Sequence, residues 1–299
     1  MRLWCAIPTS LLFLGCVPAD ESLPLGSAQF TITGRGSPRV LTDNVVQDGW
    51  NIRIDRFVIS FRTMTIVNLL NSEQCAYRGR GATSNVLFDG VEGSVVQAFN
   101  GIKAGACPDV GLRLSPPDDR TVLGEGGKVA DLVSLASGTP GLALLEATAT
   151  RKGIPELGTA DEIMHLSLRF DAVRTSTAFG GCRDAVRGAR IRPEARYAVL
   201  VTFAAEAFFR DAISPTAALR FSPFVDADKQ GDNDKTITMV ELDAMPLSDA
   251  LAYSSFYQLP SGTTRGSFGD YVRAQFQFSL KFGDGGICNG IEPGTELDR

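Results

Sequence analysis

The sequence predicts a mainly β fold, an antiparallel sandwich, with short helices and an acidic loop near the C-terminus. Three observations predict it. Apolar and polar residues alternate with a period of two, with Leu145, Ala147 and Ala149 set against Glu146, Thr148 and Thr150. Met164, Leu166, Leu168 and Phe170 alternate in the same way with His165, Ser167 and Arg169. Turn-forming clusters separate such stretches, among them Gly34-Arg35-Gly36, Ser115-Pro116-Pro117-Asp118, Gly124-Glu125-Gly126-Gly127 and Gly180-Gly181. The 299 residues are 44% hydrophobic and 21% charged, which excludes a disordered, collagenous or polytopic membrane chain.

The elements follow in order. Met1-Arg2 precedes an apolar run from Leu3 to Leu14 that ends at Gly15-Cys16. Such a run is too short to cross a bilayer, which takes roughly 20 apolar residues, and it has the layout of an export signal. Leu12-Phe13-Leu14-Gly15-Cys16 resembles the lipobox of bacterial lipoproteins, with Phe13 in place of the usual Leu. The expected organisation is a signal over 1–15, lipidation at Cys16 and a tether over 16–28. A sandwich domain over 29–299 then includes the acidic loop and helical segment of 226–299.

Within that domain Phe30, Ile32 and Gly34 read as a strand, and Ile52 and Ile54 begin another. The apolar phase then shifts to Phe57, Ile59 and Phe61, so a β-bulge is expected at Arg56. Tyr197–Phe203 is apolar on both faces and suits a central strand, and the whole pattern suits an immunoglobulin-like sandwich. A short helix is expected from Met239, and another from Phe268 toward Phe282 behind Ser267 as N-cap.

Charge and residue types narrow the function. The net charge is −5 with no basic stripe, so nucleic acid is not expected as a partner. A single histidine, His165, lies on the polar side of its strand and reads as exposed and inert. No phosphate-binding glycine loop, nucleophile elbow or zinc-protease motif occurs, so no catalytic residue is assigned and an enzyme is not expected. Asp118-Asp119, Asp131 and Glu162 could work as paired acids only if the fold brought them within about 5–9.5 Å. Cys75, Cys107, Cys182 and Cys288 are an even set in an exported chain and read as two disulfides. Of the three possible connectivities, Cys75–Cys107 with Cys182–Cys288 is preferred.

The chemistry concentrates in one segment, Asp226-Ala227-Asp228-Lys229-Gln230-Gly231-Asp232-Asn233-Asp234-Lys235-Thr236-Ile237-Thr238-Met239-Val240-Glu241. A calcium loop needs side-chain oxygens at alternate positions, one backbone carbonyl, an apolar residue after it and a bidentate Glu four residues further on. Counting back from Glu241 puts Ile237 at the apolar position, Thr236 at the carbonyl, and Asp234 and Asp232 at two ligand positions. The first ligand position falls on Gln230, and Lys235 stands where glycine is the rule. An insertion that brings in Asp226 or Asp228 would restore the first ligand. The expected cofactor is a structural Ca²⁺ held by Asp226 or Asp228, Asp232, Asp234, Thr236 and Glu241.

Several strings resemble a group of bacterial lipoproteins of myxobacteria-like genomes that pair a β-sandwich with an EF-hand-like loop. They are Asp48-Gly49-Trp50-Asn51-Ile52-Arg53-Ile54-Asp55-Arg56-Phe57, Cys107-Pro108-Asp109-Val110-Gly111-Leu112-Arg113, Glu146-Ala147-Thr148-Ala149-Thr150 and Ala218-Leu219-Arg220-Phe221. The resemblance implies an outer-membrane lipoprotein, on the periplasmic or the cell-surface face. It supplies no activity; the expected role is a binding or structural one toward an unknown protein or small ligand, with the membrane reached through the lipid. The chain is more distantly similar to a periplasmic family associated with copper and methanobactin, which offers the alternative of a metal- or ligand-uptake accessory protein. That family leans on histidine, and Phe203–Asp211, where relatives carry it, has none.

Overall fold

A computed structural model describes residues 25–33, 39–67, 85–103, 105–106, 109–154, 157–175, 178–180, 190–191, 196–282, 286–287 and 289–291. The expected signal, Cys16 and the four cysteines expected to pair lie outside the described residues. In chain order the strands are β1 (Leu25–Thr33), β2 (Val40–Leu41), β3 (Asn51–Val67), β4 (Val86–Asp89), β5 (Ser94–Lys103) and β6 (Gly105–Ala106). Then come β7 (Asp109–Leu114), β8 (Val122–Leu123), β9 (Gly141–Arg151), β10 (Glu162–Asp171), β11 (Ala178–Gly180) and β12 (Arg190–Ile191). The last are β13 (Arg196–Phe203), β14 (Thr236–Thr238), β15 (Leu280–Phe282), β16 (Gly286–Ile287) and β17 (Asn289–Ile291). Helices are α1 (Val129–Ala136), α2 (Ser222–Gln230), α3 (Met239–Ala244), α4 (Leu247–Ala250) and α5 (Phe268–Ser279), with a 3₁₀ turn at Ala205–Phe209. The first strand begins inside the segment expected as tether.

The larger sheet runs β14-β10-β9-β3-β7-β11-β17, with β2, β4 and β8 joined at the side, and the smaller runs β16-β15-β13-β1-β5. The fold is mainly β, as expected, but the sheets are mixed. β1 with β13, β10 with β14 and β4 with β8 are parallel pairs, which corrects the purely antiparallel expectation. The phase slip at Arg56 is a real register shift, since Ile54 faces Ala147 of β9 while Arg56 faces Glu146. The extra residue turns the Arg56 side chain out of the core and Phe57 into it. β13 lies between β1 and β15, so it is central as expected, although Leu200 is exposed.

Alternation and burial agree along β10, where Met164, Leu166, Leu168 and Phe170 are buried and His165 is exposed. At the start of β9 the residues Gly141–Leu145 are all buried because both sheet faces are covered there. Leu132 and Leu135 of α1 pack on Val58, Leu87 and Leu144. The other face carries the main core, shared by the strands, the 3₁₀ turn and the C-terminal helices. Phe57 is its centre, with ring centroids 6.1 Å from Phe203, 5.5 Å from Phe208 and 6.2 Å from Phe276. Phe88 of the larger sheet likewise meets Phe203 of the smaller one at 6.2 Å.

The helices have identifiable starts. Ser267 caps α5, its hydroxyl accepting from the Asp270 N–H at 3.0 Å, in keeping with the expected N-cap. The helix stops at Ser279 instead of reaching Phe282, because Leu280–Phe282 pairs with β13. Asp226–Gln230 are not loop, as the acidic composition suggested, but the last turns of α2. That helix has Pro223 near its start and is capped from far upstream, with the Asp48 carboxylate accepting from the Phe221 and Ser222 N–H groups at 2.8 and 2.6 Å.

Candidate metal centre

The acidic segment forms a helix, a bend, a strand and a helix. α2 ends at Gln230, the chain bends through Gly231–Lys235, Thr236–Thr238 adds to the edge of the larger sheet as β14, and α3 leaves from Met239. Asn233 and Lys235 have φ of +56° and +71°. Lys235 therefore takes the left-handed conformation that the glycine of a calcium loop supplies, and its side chain makes that conformation cost about 1–2 kcal/mol. β14 fixes the far side of the bend, since Thr236, Ile237 and Thr238 run parallel to His165, Leu166 and Ser167. Ile237 is fully buried and anchors the strand in the core.

Three of the expected ligands come together. One carboxylate oxygen each of Asp228, Asp232 and Asp234 lies within 4.8 Å of the others. Asp228 is 1% exposed, while Asp232 and Asp234 face solvent. Burial pushes the Asp228 carboxyl above the usual range and the charges of Asp234 and Asp232 push the same way, while the N–H of Lys235 partly offsets them. Local bonds hold the bend, with the Lys235 N–H donating to Asp228 Oδ1 at 3.0 Å and the Thr236 N–H to Asp234 Oδ1 at 2.7 Å. Asp226 is not in the group, and its carboxylate accepts from the Tyr253 hydroxyl. Asp228, the other residue considered for the first ligand, is the one that reaches the bend.

Glu241, from α3, is not one of the three carboxylates that lie within 4.8 Å of one another. Its Oε2 accepts from the Thr238 N–H at 2.7 Å and from the Thr238 hydroxyl at 2.9 Å. Its Oε1 is buried and has no partner, and the residue is 8% exposed. A buried carboxylate oxygen left unpaired is costly. Gly231 makes room for it, because a Cβ there would stand 2.7 Å from Glu241 Oε1. Thr238 and Gly231 were not picked out from the sequence, although Thr238-Met239-Val240-Glu241 has the capping-box spacing that announces the first.

The other polar residues weighed earlier lie elsewhere. Asp131 is buried and paired with Arg56, Glu162 bonds Arg151 at 2.6 Å, and Asp118 bonds its own turn. Neither family models, nor curated proteins, nor solved structures contain a match to this chain.

Proposed function

We propose that this chain is a lipid-anchored extracytoplasmic binding or display protein, a β-sandwich whose EF-hand-like loop takes a structural Ca²⁺. The observation that carries the calcium reading is the unpartnered, buried Oε1 of Glu241 beside Gly231, the residue that precedes Asp232 of the three clustered carboxylates. All the donors are oxygens, which suits a hard cation. Asp228, Asp232, Asp234 and the Thr236 carbonyl would supply the remaining oxygens. Such an ion neutralises the carboxylates and ties α2 and α3 to the edge of the larger sheet.

A thermal melt tests this reading. Ca²⁺ at a hundredfold excess over Kd is expected to stabilise the fold by about 2.7 kcal/mol relative to EGTA. Glu241→Gln should lose most of that gain while keeping the bonds to Thr238, so its calcium-free midpoint should stay near wild type. Asp228→Asn should lose the calcium gain and also raise the calcium-free midpoint at neutral pH. The sign follows from the raised carboxyl of Asp228, whose ionised form is less favourable in the folded chain than in the unfolded one. Its contribution is fully present at low pH and is lost as pH rises through the folded value. A wild-type midpoint indifferent to Ca²⁺ would refute the calcium site.

The anchor has its own test. Cys16→Ser should move the protein from the membrane to the soluble fraction, because no helix of the described residues is long and apolar enough to cross a bilayer. Unchanged fractionation would rule the lipid anchor out.

A further inference from the structure

α3 also borders a second site. A cleft of about 540 Å³, a size that suits a small ligand, is lined by Thr139, by the polar face of β10 and by the start of α3. Three arginines take part in the lining, and their surroundings differ. Arg174 pairs with Asp243 at 2.6 Å and with Asp270 at 2.7 Å. Arg273 pairs with Asp243 at 2.5 Å and lies 3.6 Å from Asp171. These two arginines share three aspartates, so they leave no positive charge unanswered.

Arg169 is answered differently. It donates from Nε to the Ser134 carbonyl at 3.2 Å, and from Nη2 to those of Leu135 at 3.0 Å, Ser137 at 2.7 Å and Thr139. The carbonyls fix the guanidinium in place but carry only partial charge. No carboxylate among the described residues pairs with Arg169, and its Nη1 makes no hydrogen bond to them and is open to solvent. The Ser167 hydroxyl, on the same face of β10, is likewise without a partner among the described residues. The cleft therefore holds one rigid cation with a free donor.

Charge and lining together give the class of ligand. A guanidinium with an N–H to spare recognises an oxyanion, and one unanswered positive charge matches one negative charge. A dianion such as phosphate would set its second charge against Asp171 and Asp243, which line the same cleft. Val173 and Val240, 70% and 77% exposed, offer apolar surface to the uncharged part of a ligand. We propose that the cleft binds a short aliphatic monocarboxylate, with its carboxylate on Nη1 of Arg169 and its alkyl chain against Val173 and Val240. This goes beyond the calcium reading and uses none of the proposed calcium ligands.

Isothermal titration of the purified full-length chain with hexanoate, hexanamide and inorganic phosphate tests the proposal. Hexanoate should bind, and hexanamide, of the same shape without the charge, should bind about tenfold or more weakly, as expected for losing one charge-assisted contact. Phosphate should bind more weakly than hexanoate. In Arg169→Gln, hexanoate and hexanamide should bind alike. Arg169 also holds the carbonyls at the end of α1, so Val173→Asp supplies a variant that leaves those bonds intact. Its added carboxylate should weaken hexanoate binding about tenfold with an unchanged melting midpoint. No hexanoate binding to the folded wild type, equal binding of hexanoate and hexanamide, tighter binding of phosphate, or wild-type affinity in Val173→Asp would each overturn the proposal.

Discussion

Phe57→Ala is expected to destabilise the protein by about 4 kcal/mol, within the range of large-to-small changes at fully buried aromatics. Phe57 is fully buried, and its ring meets Phe203 of the smaller sheet, Phe208 of the 3₁₀ turn and Phe276 of α5. These neighbours come from three separate elements, each fixed by its own backbone bonds, so the space left by the ring cannot readily close. Urea denaturation measures the loss, with Phe256→Ala as control. Phe256 is 66% exposed, and its truncation should change stability by no more than about 0.5 kcal/mol. Equal effects of the two substitutions would show that Phe57 is not the centre of the core.

Arg56→Met is expected to cost about 3–5 kcal/mol, because it leaves a charge buried without its partner. Asp131 is 2% exposed, and Arg56 meets it with its two terminal guanidinium nitrogens, one to each carboxylate oxygen. Asp131 also accepts from the Lys128 N–H at 2.8 Å, so it holds the start of α1 as well. The double variant Arg56→Met/Asp131→Leu removes both charges and should recover most of the loss, apart from about 1 kcal/mol for the missing helix contact. If the double variant were as unstable as the single one, packing around the Arg56 stem would be the cause instead of the stranded carboxylate.

These two neighbours also show what the sequence could reveal. The phase slip between Ile54 and Phe57 is local, so the bulge was readable, and so was the side of the sheet each residue takes. Ser267 before Phe268 was readable for the same reason, since an N-cap acts within one turn. α2 was hidden because its start is held by Asp48, far upstream, and its last turns carry the acids that composition assigns to a loop. The parallel pairings were hidden too, since nothing in Thr236–Thr238 announces that its neighbour is β10. At the acidic bend, spacing from Ile237 and Glu241 singled out Asp232 and Asp234, two of the three residues whose carboxylates cluster. Choosing Asp228 over Asp226 required knowing where α2 ends.

The docking of β14 on β10 bears on the order of events in folding. The bend between α2 and α3 acquires its shape only when Thr236–Thr238 finds a strand far removed in sequence, and such contacts form late because closing a long loop costs entropy first. An ion seated there stabilises the finished molecule more than the transition state that precedes it. On the reading proposed above, calcium would act as a brake on unfolding and leave the folding rate nearly unchanged. On that reading the quantity that calcium would set is the lifetime of the native state.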